Sequence, residues 1–201
     1  MIMDPHRWLD LARLAWVVFL VYWLVSALKL KKVKQREARR ERLFQVSFMA
    51  VAYTMVFSDT SGRGWLGARF LPISEALGRT GFVLAVVGVA FAIWARWHLG
   101  ENWSGTVTLK EGHELVRSGP YRYIRHPIYT GMLLAFAGTV LTLEEYRGLI
   151  SLAITIVSFY YKAKKEERFL AEEFGDSFRE DRRQTGMFLP SLGGGSCSHF
   201  T

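Results

Sequence analysis

Two short stretches hold residue types that could do chemistry together. The first is Arg125-His126-Pro127-Ile128-Tyr129, and the second is Glu166-Glu167, which follows Lys162, Lys164 and Lys165. Proline suits the first position of a helix, where its missing N–H costs nothing, and it drives the residue before it toward extended backbone. A helix is therefore predicted to start at Pro127. The unpaired N–H groups and positive dipole end of that helix would attract an anion, and Arg125 places a planar, permanently charged guanidinium just ahead of it. A carboxylate or phosphate is the expected guest. The plainer reading of Arg125 and His126 is a polar anchor for the helix at an interface, and a run such as Lys162 to Glu167 is often only a solvated helix face. Set one turn beyond an apolar hairpin and facing Arg125, a carboxylate there could accept hydrogen bonds from a ribose or pair with an ammonium or sulfonium.

These stretches have to be positioned by long apolar segments. Trp8 to Leu30 is long enough to cross a hydrocarbon core of about 30 Å at about 1.5 Å per residue. It is followed by Lys29, Lys31, Lys32, Lys34, Arg36, Arg39, Arg40 and Arg42, a basic cluster expected to stay in the cytoplasm and leave the N-terminus outside. Leu43 to Phe57 and Thr80 to Leu99 are further apolar runs, separated by Ser58 to Arg79, which is rich in turn residues and reads as an exterior or interfacial loop. Pro127 to Leu143 and Gly148 to Tyr161 are joined by four residues only, which predicts an antiparallel helical hairpin. That hairpin brings His126 and Glu166 to one surface. Gly131, Ala135 and Gly138 put small side chains on one face, where another helix can approach closely. An amphipathic helical pattern continues from Lys162 to Phe178.

The fold expected is all-α and integral to the membrane: about five transmembrane helices, a C-terminal helical hairpin, and a cofactor-binding region and C-terminus on the cytoplasmic side. Residues 1–192 read as one domain and 193–201 as a flexible tail. Half of the 201 residues are hydrophobic and the formal charge is +8. The basic residues cluster beside apolar runs with no nucleic-acid-binding signature, so the charge is assigned to membrane orientation. Cys197, the single cysteine, excludes an intrachain disulfide, and it lies one position too far from the end for a prenylation box. His98, His113 and His126 match no metal-ligand spacing, and no phosphate-binding loop or nucleophile motif is present.

Taken together, His113-Glu114-Leu115-Val116, Gly119-Pro120-Tyr121, Arg125-His126-Pro127-Ile128-Tyr129 and Glu166-Glu167 with Phe174-Gly175-Asp176 resemble the isoprenylcysteine carboxyl methyltransferase family, within the broader group that includes phospholipid N-methyltransferases. The likeness runs from about Asn102 to Pro190. It implies S-adenosylmethionine as methyl donor, with contacts at His113, Glu114, Leu115, Val116, Tyr121, His126, Pro127, Ile128, Tyr129 and Glu166. It implies carboxyl O-methylation of an isoprenylcysteine-like lipophilic acceptor, with Arg125 and Lys162 orienting the acceptor anion. Two positions depart from the eukaryotic pattern: Lys162 stands where an arginine is usual, and Thr106 where a glutamine often contacts the cofactor. The alternatives are N-methylation of phosphatidylethanolamine, with Glu167 or His126 as base, a sterol-reductase-like protein using NADPH, and a non-catalytic lipid-binding protein.

Overall fold

The computed structural model describes residues 7–27, 33–36, 39–58, 62–100, 108–110 and 115–191. Helices dominate: α1 (Arg7–Ala27), α2 (Arg39–Phe57), α3 (Glu75–Leu99), α4 (Pro127–Leu143), α5 (Tyr146–Phe174) and α6 (Asp176–Gln184). Two of the described helices, over Arg7–Ser26 and Glu75–Leu99, are long and apolar enough to cross a membrane; the apolar stretches Gln45–Phe57 and Pro127–Leu143 are shorter.

The helical class expected is found, with one addition: β1 (Val33–Arg36) pairs antiparallel with β2 (Thr108–Lys110), joining the two polar segments that leave α1 and α3. Two expectations need adjustment. The loop expected to reach Arg79 ends at Ser74, so α3 gains a first turn carrying Glu75, which suits the positive end of the helix dipole. The amphipathic helix does not run unbroken to Phe178: Gly175 adopts φ 51° and separates α5 from α6, whose Phe178 is then buried.

The central pair is α3 and α4. Gly81 and Gly88 face Gly138 and Gly131, with Ala85, Ala92 and Ala135 between them, and the backbones touch. A Cβ on Gly88 would stand 2.3 Å from the Ala135 nitrogen, and one on Gly138 would stand 2.5 Å from the Gly81 oxygen. The small-residue face of α4 is thus the contact with α3, which the sequence predicted for an unnamed partner helix. Behind this pair, α1 inserts Trp16 against Phe136 and Tyr53, and its indole N–H donates to Thr139 Oγ1 at 2.9 Å. That hydroxyl donates in turn to the Ala135 carbonyl, so no polar atom of the Trp16–Thr139 pair is stranded.

Helix ends are closed by arginines, whose charge suits the negative ends of helix dipoles. Arg96, near the end of α3, donates to the Gly100 oxygen at 2.7 Å and to the Ser26 oxygen of α1 at 3.0 Å. At the opposite end, buried Arg147 donates to the carbonyls of Met55 in α2 and of Ser58 just beyond it, and pairs with Glu145. There the α4–α5 turn, with Glu144 at φ 58°, is pinned by Arg69 at 2.6 Å and by the Phe70 N–H to the Glu144 oxygen. The outer faces remain apolar and exposed, including Val17, Val21 and Leu24 of α1, Val83 and Val87 of α3, and Ile156 and Val157 of α5.

Candidate active site

The start of α4 and the far half of α5 meet where the hairpin brings them together. Pro127 is the first residue of α4, and His126 precedes it at φ −123°, ψ 58°. On α5, Glu166 and Glu167 turn inward, and His126 sits between them. Its Nδ1 stands 3.5 Å from Glu166 Oε2 and its Nε2 3.5 Å from Glu167 Oε1. Nε2 is buried without a well-formed hydrogen bond. Tyr129, one turn along α4, stacks on His126 with ring planes 8° apart and donates its hydroxyl to Glu166 Oε1 at 2.5 Å. Phe159 stacks on the Tyr129 ring, and the Lys162 ammonium lies over it at 5.5 Å.

Arg125 is held more firmly than an anion-orienting residue needs to be. Its Nε donates to Glu167 Oε1 at 2.8 Å, and its Nη1 donates to the Thr185 carbonyl, to Thr185 Oγ1 at 3.3 Å and to the Arg182 carbonyl at 3.3 Å.

Charges and hydrogen bonds set the protonation of this cluster. Burial disfavours every charged form, but the facing partners prevail: Glu166 and Glu167 raise His126 above its ordinary value, while His126, Lys162 and the Tyr129 hydroxyl lower Glu166. Against the same burial, His126 and Arg125 hold Glu167 down at about 2. Tyr121 is raised, by burial first and by Glu166 second.

Beside these polar groups lies an apolar cluster of Ala95, Tyr121 and Ile128, with Val116, Leu99, Met132 and Trp23 of α1 packed against it. Gly119 at φ 56° lets the backbone pass under the His98 ring, which a Cβ would strike. The structure therefore brings Val116, Tyr121, Arg125, His126, Pro127, Ile128, Tyr129, Lys162, Glu166 and Glu167 to one end of the bundle, with Leu115 half-buried beside Val116. Thr106, His113 and Glu114 lie outside the described residues.

Sequence reasoning missed two contributors. Trp23 gave no signal beyond being one more aromatic in an apolar run. Thr185 to Phe188, which folds back on Arg125 and His126, was hidden in a polar C-terminal stretch; the glycine at 186 followed by Met187 and Phe188 was the available clue.

The family model "Phospholipid methyltransferase" matches residues 77–177, from α3 to the start of α6, and the chain belongs to that family. It is 33% identical over 129 residues to the cobalt-zinc-cadmium resistance protein CzcN of Cupriavidus metallidurans, covering 64% of this chain and 54% of that protein. It is 30% identical to the protein-S-isoprenylcysteine O-methyltransferase of Schizosaccharomyces pombe over 46% of this chain and 41% of the relative. Identity to methanethiol S-methyltransferase 1 of Bradyrhizobium diazoefficiens is 35%, over 35% of this chain and 24% of the relative. The chain thus spans about half or less of the length of these curated relatives.

Proposed function

We propose that this protein is an S-adenosylmethionine-dependent methyltransferase that acts at the cytoplasmic face of a membrane on a lipophilic acceptor, most simply the carboxylate of an isoprenylcysteine-like molecule. The observation that carries the reading is the alternating cluster Arg125–Glu167–His126–Glu166–Tyr129, closed by Lys162, at the start of α4. The side chains fit that cofactor. Glu166 offers a carboxylate to its amino group or ribose, the first-turn N–H groups of α4 suit its carboxylate, and Val116, Tyr121 and Ile128 form an apolar cluster suited to the adenine. His113 and Glu114 are proposed from the resemblance as further contacts, and Thr106 as a third.

When bound, S-adenosylmethionine supplies an electrophilic methyl group on a sulfonium. The protein's part is positioning and exclusion of water. Lys162, beside Glu166 and over Tyr129, is the cation proposed to orient the acceptor carboxylate. Arg125, expected from the sequence to share that task, is bound to Glu167 and Thr185, which supports a role in holding the site together. An ionised carboxylate needs no base, whereas an amine acceptor such as phosphatidylethanolamine would. Glu167, held at about 2, is a poor base, and His126 between two carboxylates favours its charged form. This weighs toward the carboxylate and against the amine.

The outward apolar faces of α1, α3 and α5 support burial in lipid, and the basic residues between α1 and α2 support a cytoplasmic location for the site end. The acceptor is tested with labelled S-adenosylmethionine and detergent-purified protein, offering a farnesylcysteine analogue and phosphatidylethanolamine in parallel. Label on the farnesylcysteine carboxylate, lost in Lys162→Ala, supports the proposal. Label only on the amine transfers the assignment to the phospholipid.

A further inference from the structure

Beyond α6 the chain returns to the site and is fastened there. The Gly186 N–H donates to the Tyr123 oxygen at 3.2 Å, the Arg125 N–H to the Gly186 oxygen at 2.9 Å, and the His126 N–H to the Met187 oxygen at 3.1 Å. Thr130 Oγ1 donates to the Phe188 oxygen at 2.7 Å, and the Phe188 ring lies 6.1 Å from that of His126. Arg125 adds its bonds to the Thr185 carbonyl and hydroxyl, and Thr185 is buried. The turn that follows tolerates no side chain at Gly186, where a Cβ would stand 1.7 Å from the Leu189 oxygen.

These bonds contribute nothing to the contact between α3 and α4 that forms the centre of the bundle. They converge on residues 123 to 130, the start of α4, and come from a segment beyond the family match at 77–177. Two of the main-chain bonds fix the backbone of Arg125 and of His126, the residue whose ring lies between Glu166 and Glu167. A loose segment would leave the backbone around Arg125 and His126 free to move, and a site must be held within a fraction of an ångström to favour one bound geometry.

We propose that Thr185–Phe188 is a strap that positions His126 and the first turn of α4 for cofactor binding, and that Arg125 is the positioning residue that clamps it through Glu167 and Thr185. This inference rests on the S-adenosylmethionine reading above.

The test combines calorimetry with hydrogen exchange on the full chain in detergent, using S-adenosylhomocysteine as the probe. Gly186→Val displaces the strap at its turn and is expected to weaken binding about tenfold or more, the equivalent of one or two lost hydrogen bonds, while α-helical content is unchanged. Arg125→Lys keeps the charge but loses the fork that reaches both Glu167 and Thr185, and it falls between wild type and Gly186→Val. Probe binding to wild type slows exchange of the Gly186, Arg125 and His126 amides, a response that a merely structural segment would not give. Should Gly186→Val fail to fold, Thr130→Val removes one strap bond and carries the same comparison, with binding weakened several-fold. Wild-type binding that survives in the variants, with exchange at those amides indifferent to the probe, overturns the strap alone. Absence of binding to folded wild type overturns the cofactor reading and the strap with it.

Discussion

Replacing Glu167 with glutamine isolates the charge at the centre of the cluster. The glutamine keeps the shape and one acceptor oxygen but leaves Arg125 and His126 facing each other without the anion between them. Lowering of the Glu167 carboxyl from its ordinary 4.5 to about 2 corresponds to roughly 3 kcal/mol of native-state stabilisation, at about 1.4 kcal/mol per pH unit. Loss of one partner from a buried ion pair gives a similar scale, about 3–5 kcal/mol. Because the folded value lies below the unfolded one, this stability is fully present above pH 4.5 and is lost as pH falls toward 2. Glu167→Gln is therefore expected to be less stable than wild type by about 2–3 kcal/mol at pH 7, with the gap narrowing steadily below pH 4.5. Reversible unfolding in mixed micelles at several pH values measures it. A gap that is absent at pH 7, or that stays constant down to pH 3, would mean that the Glu167 charge does not hold this cluster together.

Other consequences follow from the same geometry. Gly88→Ala, whose new methyl meets the Ala135 backbone at 2.3 Å, should cost about 1–3 kcal/mol, and Gly148→Ala, which meets only Val140 and Leu143 side chains, should cost less in the same thermal assay. His126 is raised in the folded protein, so its contribution is present below pH 6.5 and fades as pH rises through the folded value; His126→Asn should flatten that alkaline limb of the stability profile. Arg147→Met should release the Met55 and Ser58 carbonyls at the far end of α2 and lower stability by about 1–3 kcal/mol, while cofactor affinity at the opposite end of the bundle stays at the wild-type value.

Much of the candidate cluster's placement was legible because its residues carry strong local signals. Pro127 marks a helix start wherever it stands, and the four-residue link between two apolar runs dictates that His126 and Glu166 share a surface. The glycine and alanine spacing on α4 announced a close helix contact but not with which helix, since that depends on the matching Gly81 and Gly88 of α3. What stayed hidden was long-range and carried by main-chain atoms. The strap bonds mostly through main-chain atoms, which every residue has, so apart from Gly186 and the Thr185 hydroxyl little in Thr185 to Phe188 advertises it. Arg125 shows the same limit: its charge suggested an anion ligand, and only the geometry places Glu167 and Thr185 on its donors. The pairing of β1 with β2 was missed because two short polar segments, 33–36 and 108–110, give no period to read.

Binding of S-adenosylmethionine by the cluster at the start of α4, through Glu166, is what the proposed function requires. Calorimetric titration of S-adenosylhomocysteine into detergent-purified wild type and Glu166→Ala measures it. Binding in the micromolar range to wild type, lost in a variant of unchanged helical content, is the predicted result. A folded wild-type protein that releases no heat of binding, or a Glu166→Ala variant that binds as tightly as wild type, would contradict it.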